Sequence, residues 1–260
     1  MTKSMNVYSA VAMLLLAGLS ACDKNTVQQL PTEPLLGSRI RFFNFGVNAP
    51  GVNFYADNVK LTAIRSETGV ESTNGVAYGG VGNGGGYSQI APGSHQLTGR
   101  IAATTDKDLA IDTLTAALAD GKYYSFFLSG FYNTIAKTVD AFAVEDPIAP
   151  PTDFTKAQIR FVNAIGNASP LTLYARNTTV GDTTAIGGAV AYKSAGTFVA
   201  VPVGIYDLFA RYTDSTTNKV ARTAVTFLGG HIYTIGARGD ITITSTTATN
   251  RPFLDATPNW

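Results

Sequence analysis

The stretch that decides the fold is IRFFNFGVNAPGVNFYA, Ile40–Ala56, because the chain writes it again as IRFVNAIGNASPLTLYA, Ile159–Ala175. The two align without a gap, and Ile, Arg, Phe, Asn, Asn, Ala, Tyr and Ala coincide. The correspondence continues with gaps. Val76-Ala77-Tyr78 echoes Val190-Ala191-Tyr192, IAPGSHQL (Ile90–Leu97) echoes VPVGIYDL (Val201–Leu208), and ADGKYYS (Ala119–Ser125) echoes LGGHIYT (Leu228–Thr234). Solenoid repeats have periods of roughly 20–50 residues. This repeat is far longer and has the size of a whole domain.

Within each copy the pattern is β. Ile40 and Phe42 alternate with Arg41, and KYYSFFLSG and HIYTIGARG are aromatic and β-branched runs ended by Gly130 and Gly239. LAIDTLTAALADG (Leu109–Gly121) could form a helix, with Ile111, Leu114 and Leu118 on one face. Its counterpart ARTAVTFLGG (Ala221–Gly230) alternates as a strand, so strand is expected for both. Seven or eight short strands per copy, punctuated by turns, predict an all-β chain of two tandem immunoglobulin-like β-sandwich domains. The boundaries read as residues 38–146 and 156–260, joined by a Pro-rich linker over 147–155.

The first 21 residues carry Lys3, an apolar stretch and then small residues, the grammar of a secretory signal peptide. Leu19-Ser20-Ala21-Cys22 resembles the lipobox of bacterial lipoproteins, which implies acylation of Cys22 and a membrane partner through its lipid. Residues 22–37 read as a lipidated tether. Asp23 resembles an inner-membrane retention signal in one bacterial group, but the outer membrane is the expected location. The apolar stretch is too short to span a bilayer.

Composition narrows function mainly by exclusion. Charged residues are only 14% and net charge is +1 with no basic run, so nucleic acid is not an expected partner. One cysteine and two histidines, His95 and His231, cannot supply a Cys/His zinc site or a disulfide framework. GGVGNGGG (Gly79–Gly86) contains a dinucleotide-type glycine spacing, but Tyr87-Ser88-Gln89-Ile90 follows where a helix should open. It reads as a flexible strand connection. Asp106, Asp108 and Asp112 lack the glycine and closing glutamate of a calcium loop and read as a solvated hairpin. No GxSxG motif accompanies the histidines. The repeated tyrosines Tyr55/Tyr174, Tyr78/Tyr192 and Tyr124/Tyr233 suit core or tyrosine-corner packing better than a glycan platform.

The repeat also resembles the family called domain of unknown function 4397. The residues that carry the likeness are Arg41, Phe42, Asn44, Asn48, Ala49, Pro50 and Tyr55, then Gly93, Leu97, Gly121 and Tyr124. In the second copy they are Arg160, Phe161, Asn163, Asn167, Ala168, Pro170 and Tyr174, then Gly204, Leu208, Gly230 and Tyr233. The resemblance implies β-sandwiches in secreted or lipid-anchored envelope proteins and brings no catalytic residues. The family often has His where Asn44 and Asn163 stand, and Asp where Asn53 and Thr172 stand, so a metal or acid–base role of that pair is not expected here. No catalytic, cofactor-binding or metal residues are therefore assigned, and Cys22 is the single site residue. The expected function is non-enzymatic binding of a protein or glycan, or a structural role, at the envelope. The alternative is an envelope carbohydrate-active enzyme or hydrolase with a carboxylate site between the domains.

Overall fold

The computed structural model describes residues 37–63 and 70–259, so the signal peptide, Cys22 and all of the tether except Gly37 lie outside the described residues. The described part is all β, without an α-helix, and forms one compact unit. The first copy contains β1 (Ser38–Asn44), β2 (Val52–Ala56), β3 (Val59–Lys60), β4 (Gly80–Val81), β5 (Ser88–Ile90), β6 (Gly93–Ile101), β7 (Leu114–Leu118), β8 (Tyr123–Asn133) and β9 (Thr138–Asp146). The second contains β10 (Lys156–Asn163), β11 (Leu171–Asn177), β12 (Thr183–Val190), β13 (Ser194–Ala195), β14 (Val199–Pro202), β15 (Gly204–Tyr212), β16 (Val220–Phe227), β17 (Ile232–Arg238) and β18 (Phe253–Pro258). Nine described strands per copy exceed the expected seven or eight, because each glycine- or serine-bearing connection splits into two short strands.

The copies match strand for strand. One sheet of the first copy runs β4-β1-β8-β9 with β5 also on β1, and its counterpart runs β13-β10-β17-β18 with β14 on β10. The facing sheets are β3-β2-β6-β7 and β12-β11-β15-β16. In both copies the first strand lies parallel to the eighth, Arg41 opposite Ser125 and Arg160 opposite Thr234. Parallel neighbours need a long crossover, and here the whole second sheet supplies it. The ambiguous Leu109–Gly121 segment is strand β7 over Leu114–Leu118, like its counterpart β16.

Each copy has its own core. In the first, Ile40, Phe42, Phe54, Leu97, Phe126 and Leu128 pack between the sheets. Phe42 and Phe54 stack at 5.0 Å, and Phe126 meets both edge-on. In the second, Ile159, Phe161, Leu173, Leu208 and Ile235 take the matching places. Each such side chain contributes roughly 1.5–3 kcal/mol when fully buried. A third cluster joins Phe43, Phe45, Phe127 and Phe142 of the first copy to Val162 and Ala164 of the second. The outer faces of β1-β8-β9 and β10-β17-β18 therefore meet, and both sheets are buried on two sides.

Candidate functional site

The polar residue of the repeated phrase lies at this junction. Alternation places Arg41 and Arg160 on the outer face of a sandwich, where solvent is expected. In the folded chain both are buried, at 0% and 1% exposure. Arg160 Nη1 donates to the Glu145 carbonyl across the junction (2.8 Å), and Arg41 Nη1 donates to the Pro258 carbonyl (2.9 Å). Glu145 lies opposite Tyr124 and Pro258 opposite Tyr233, so these are the same contact made twice. Each guanidinium also bonds Thr234 Oγ1, at 3.0 Å from Arg160 Nε and 3.4 Å from Arg41 Nη2. Arg41 lies over Tyr87 and Arg160 over Phe198, again matching positions just before β5 and β14.

The junction is two-fold in plan but not in charge. Arg160 pairs with Asp146, which also accepts bonds from Ser125 Oγ (2.7 Å) and Tyr87 Oη (2.6 Å). The position matching Asp146 is Asn259, whose Oδ1 accepts from Thr234 Oγ1 and whose Nδ2 donates to Tyr87 Oη. Two arginines thus share one carboxylate. Burial lowers the pKa of Arg41, partly offset by Tyr87 and Asp146. Burial also raises that of the Tyr87 hydroxyl, with the Asp146 charge adding to it.

The other repeated polar residues also hold the fold. Asn44 Nδ2 donates to the carbonyls of Pro50 and Val76, and Asn163 Nδ2 to that of Val190, tying the end of the first strand to the loops above it. Tyr124 Oη accepts from the Ala119 N–H and Tyr233 Oη from the Leu228 N–H, each five residues upstream, as in a tyrosine corner. Tyr192 crosses the junction to Ser129 Oγ (3.0 Å) and Asp140 (2.9 Å), while Tyr78 lies 4.9 Å from Arg238 of the other copy. Tyr55 is covered by Arg100, whose guanidinium lies 4.4 Å from its ring centre, and Tyr174 stacks on Phe209 at 5.6 Å.

The remaining sequence candidates do not converge. The glycine run is no loose connection: β4 and β5 on either side of it both pair with β1, and Asn83 Nδ2 donates to the Leu61 carbonyl and Ser88 Oγ. Asp106 pairs with Lys137, and Asp108 accepts from Tyr55 Oη, but Asp112 is not a solvated acid. It is buried, with Oδ1 accepting from the Gly99 N–H (2.5 Å) and Oδ2 without a partner. Burial raises its pKa to about 7, against the lowering effect of the Gly99 bond. His95 bonds Asp57 (2.5 Å) and the Ala91 carbonyl (2.7 Å). Among the described residues no group of three His, Cys, Asp or Glu could hold a metal ion. The junction between the copies is packed, and its carboxylates are engaged: Asp146 and Asp255 each face an arginine, and Asp140 faces Lys193 and Tyr192. An open depression beside it, lined by Val144, Glu145, Pro147, Lys193 and Thr197, has Glu145 as its acid.

Sequence reasoning missed the arginine pair as a joint. The signal was present: FFLSG in β8 and FF in β1 are apolar on both faces, as a doubly covered sheet requires.

A family model described as Domain of unknown function (DUF4397) matches residues 38–174, more than half of the chain. The chain belongs to this family. The DUF4397 match covers the first copy and ends in β11, so the second copy rests on its strand-for-strand correspondence. Among curated proteins none matches the chain. Among solved structures, the Bacillus anthracis TIE protein is similar at 12% identity and a TM-score of 0.24, over 77% of this chain and 33% of that one. A leucine-rich repeat protein from Bacteroides thetaiotaomicron is similar at 13% identity and a TM-score of 0.21, over 82% and 27%. A Bacteroides ovatus protein described as a "putative cell adhesion protein" is similar at 11% identity and a TM-score of 0.22, over 86% and 96%. The chain thus spans a third or less of the first two. TM-scores this low carry no argument about function.

Proposed function

We propose that this DUF4397 protein is a lipid-anchored, non-enzymatic module of the bacterial envelope. It presents the loops of a rigid double sandwich to a protein or glycan ligand, or acts as a spacer. One observation carries this reading: the polar residues repeated in both copies are engaged in holding the strands and fusing the copies. Arg41, Arg160, Asn44, Asn163, Tyr124 and Tyr233 bond backbone carbonyls or N–H groups of their own or the other copy. A chain that uses its repeated polar groups for rigidity suits a scaffold whose contacts lie on loops. The lipobox ending in Cys22 supports the anchor, and two or three acyl chains would hold the module firmly. The outer membrane is the proposed location.

The test is a tag after Trp260, protease treatment of intact cells, and a Cys22→Ala control. Loss of membrane attachment in the control, with acyl mass on Cys22 in the parent, is the expected result. A control that is processed and attached like the parent refutes the anchor. Shaving of the tag assigns the module to the cell surface, and protection assigns it to the periplasmic side.

A further inference from the structure

Contacts across the junction run in the same order along both copies: Arg41 and Arg160 share Thr234, then Phe43 and Phe45 meet Val162 and Ala164, then Gly130 meets Gly166. The two first strands therefore point the same way, and both begin at one end of the molecule. At that end the chain enters the fold at Gly37, passes from β9 to β10, and leaves at Asn259 after β18. The turn Leu228–Gly230 lies there too, since the Gly230 N–H donates to the Lys156 carbonyl.

This end exposes large apolar side chains. Phe154 is 73% exposed, Leu228 53%, Val203 47% and Ile205 46%. Three of them meet at one turn: the Phe154 ring and Val203 both border Gly229–Gly230, next to Leu228, so closely that a Cβ there would meet them at 2.6–3.0 Å, and Ile205 follows Val203 by two residues. Ala91, Pro92, Ala119, Ala149 and Pro150 are also exposed around the same end. The lysines beside the patch are matched, Lys156 with Asp153 (3.2 Å) and Lys122 with Glu145 (3.1 Å), and Asp120 accepts the Gly37 N–H (2.6 Å).

We propose that this end docks on the lipid surface, with Phe154, Val203, Ile205 and Leu228 entering the interfacial layer. The inference rests on the lipid-anchor reading of Cys22. Residues 23–36 separate Cys22 from Gly37. A chain of that length reaches at most about 50 Å when extended and about 20 Å as a relaxed coil. The patch thus meets the bilayer as an intramolecular partner, at an effective concentration on the order of millimolar. Contacts too weak to bind vesicles unaided then suffice. Because the lysines there are paired within the protein, the docking relies on apolar contact rather than on attraction to anionic lipid.

The test uses the acylated chain in phosphatidylethanolamine–phosphatidylglycerol vesicles, with Trp260→Phe and a single tryptophan introduced as Phe154→Trp. Brominated lipid is expected to quench it, with a blue-shifted emission. Ile135→Trp, at the 94% exposed turn at the far end, is expected to stay unquenched. Val203→Asp with Leu228→Asp, both on exposed positions, is expected to abolish quenching of Phe154→Trp while the protein still floats with the vesicles. An acylated protein whose Phe154→Trp is unquenched, or quenched no more than Ile135→Trp, overturns the docking. A blue shift that needs no lipid and grows with protein concentration overturns it in favour of a second copy. Absence of acyl mass on Cys22 refutes the anchor reading instead, and is read separately by intact mass.

Discussion

Asp112 offers the sharpest test of the energetics. Its carboxyl is buried below β6, Oδ1 takes the Gly99 N–H at 2.5 Å, and Oδ2 has no partner. A Cβ on Gly99 would lie 3.0 Å from Oδ1 and 3.0 Å from Leu128 Cδ1, so the site is tightly closed. Burial raises the pKa from the ordinary 3.8 to about 7. The sign follows from linkage: the folded state holds the proton more tightly than the unfolded chain. The contribution of Asp112 is therefore complete below pH 3.8 and is lost as pH rises through 7. At about 1.4 kcal/mol per pKa unit, the loss approaches about 4 kcal/mol, mostly between pH 4 and 7. Asp57 works oppositely, its pKa lowered by the Gln96 N–H and then by His95, so the raw curve is a sum.

The informative quantity is the difference between parent and Asp112→Asn in urea unfolding from pH 4 to 8. The amide keeps an acceptor for the Gly99 N–H but brings an N–H2 into the place of Oδ2, at a cost of roughly 1–3 kcal/mol. Asp112→Asn is therefore expected to be the less stable protein at pH 4 and the more stable one at pH 8, by about 1–3 kcal/mol. Parallel curves, with no crossing, would refute a buried protonated carboxyl.

Two further perturbations probe the junction. Arg160→Met leaves Asp146 buried without its charge partner and is expected to cost roughly 3–5 kcal/mol in chemical unfolding. Adding Asp146→Asn should restore part of it, not all, because Arg41 then loses the same carboxylate, and a double variant less stable than the single one would count against the pairing. Gly236→Val places a Cβ 2.6 Å from Phe45 Cε2. It is expected to lose roughly 1–3 kcal/mol by overpacking, with recovery in the Phe45→Ala background. A Gly236→Val protein as stable as the parent would show that the copies do not press together there.

The strands were legible because period-2 alternation and glycine turns are local signals. The duplicated phrase then assigned a strand to the helix-like Leu109–Gly121, since one of two matching segments was unambiguous. The repeated Arg41 and Arg160 were visible but not their burial. An arginine alternating with Ile40 and Phe42 reads as solvent-facing until the apolar outer positions Phe43, Phe127 and Phe142 are counted as a second covered face. Asp112 was misread for a similar reason: only the return of β6 over it, fixed by the Gly99 bond, removes it from water. The exposed apolar end proposed to dock could not be read locally either. Phe154, Val203 and Leu228 are far apart in sequence and meet at one turn.

The differences between the copies explain why two sandwiches make one body. Matching positions on the two facing sheets differ in size: Phe43 against Val162, Phe45 against Ala164, Phe127 against Gly236. Two first copies facing each other would bring six phenylalanines to these positions, and two second copies would leave the space unfilled. The charge follows the same logic, because Asp146 sits in one copy and neutral Asn259 in the other, with Tyr87 Oη bonded to both. Large meets small and acid meets amide only when a first copy faces a second. Such a joint favours pairing within the chain over pairing between chains, and the short connection over 147–155 supplies its partner at high effective concentration. The same face in its symmetric form would let one copy pair with any other, and on the proposed lipid anchor, where chains would share one membrane, it would cross-link neighbours.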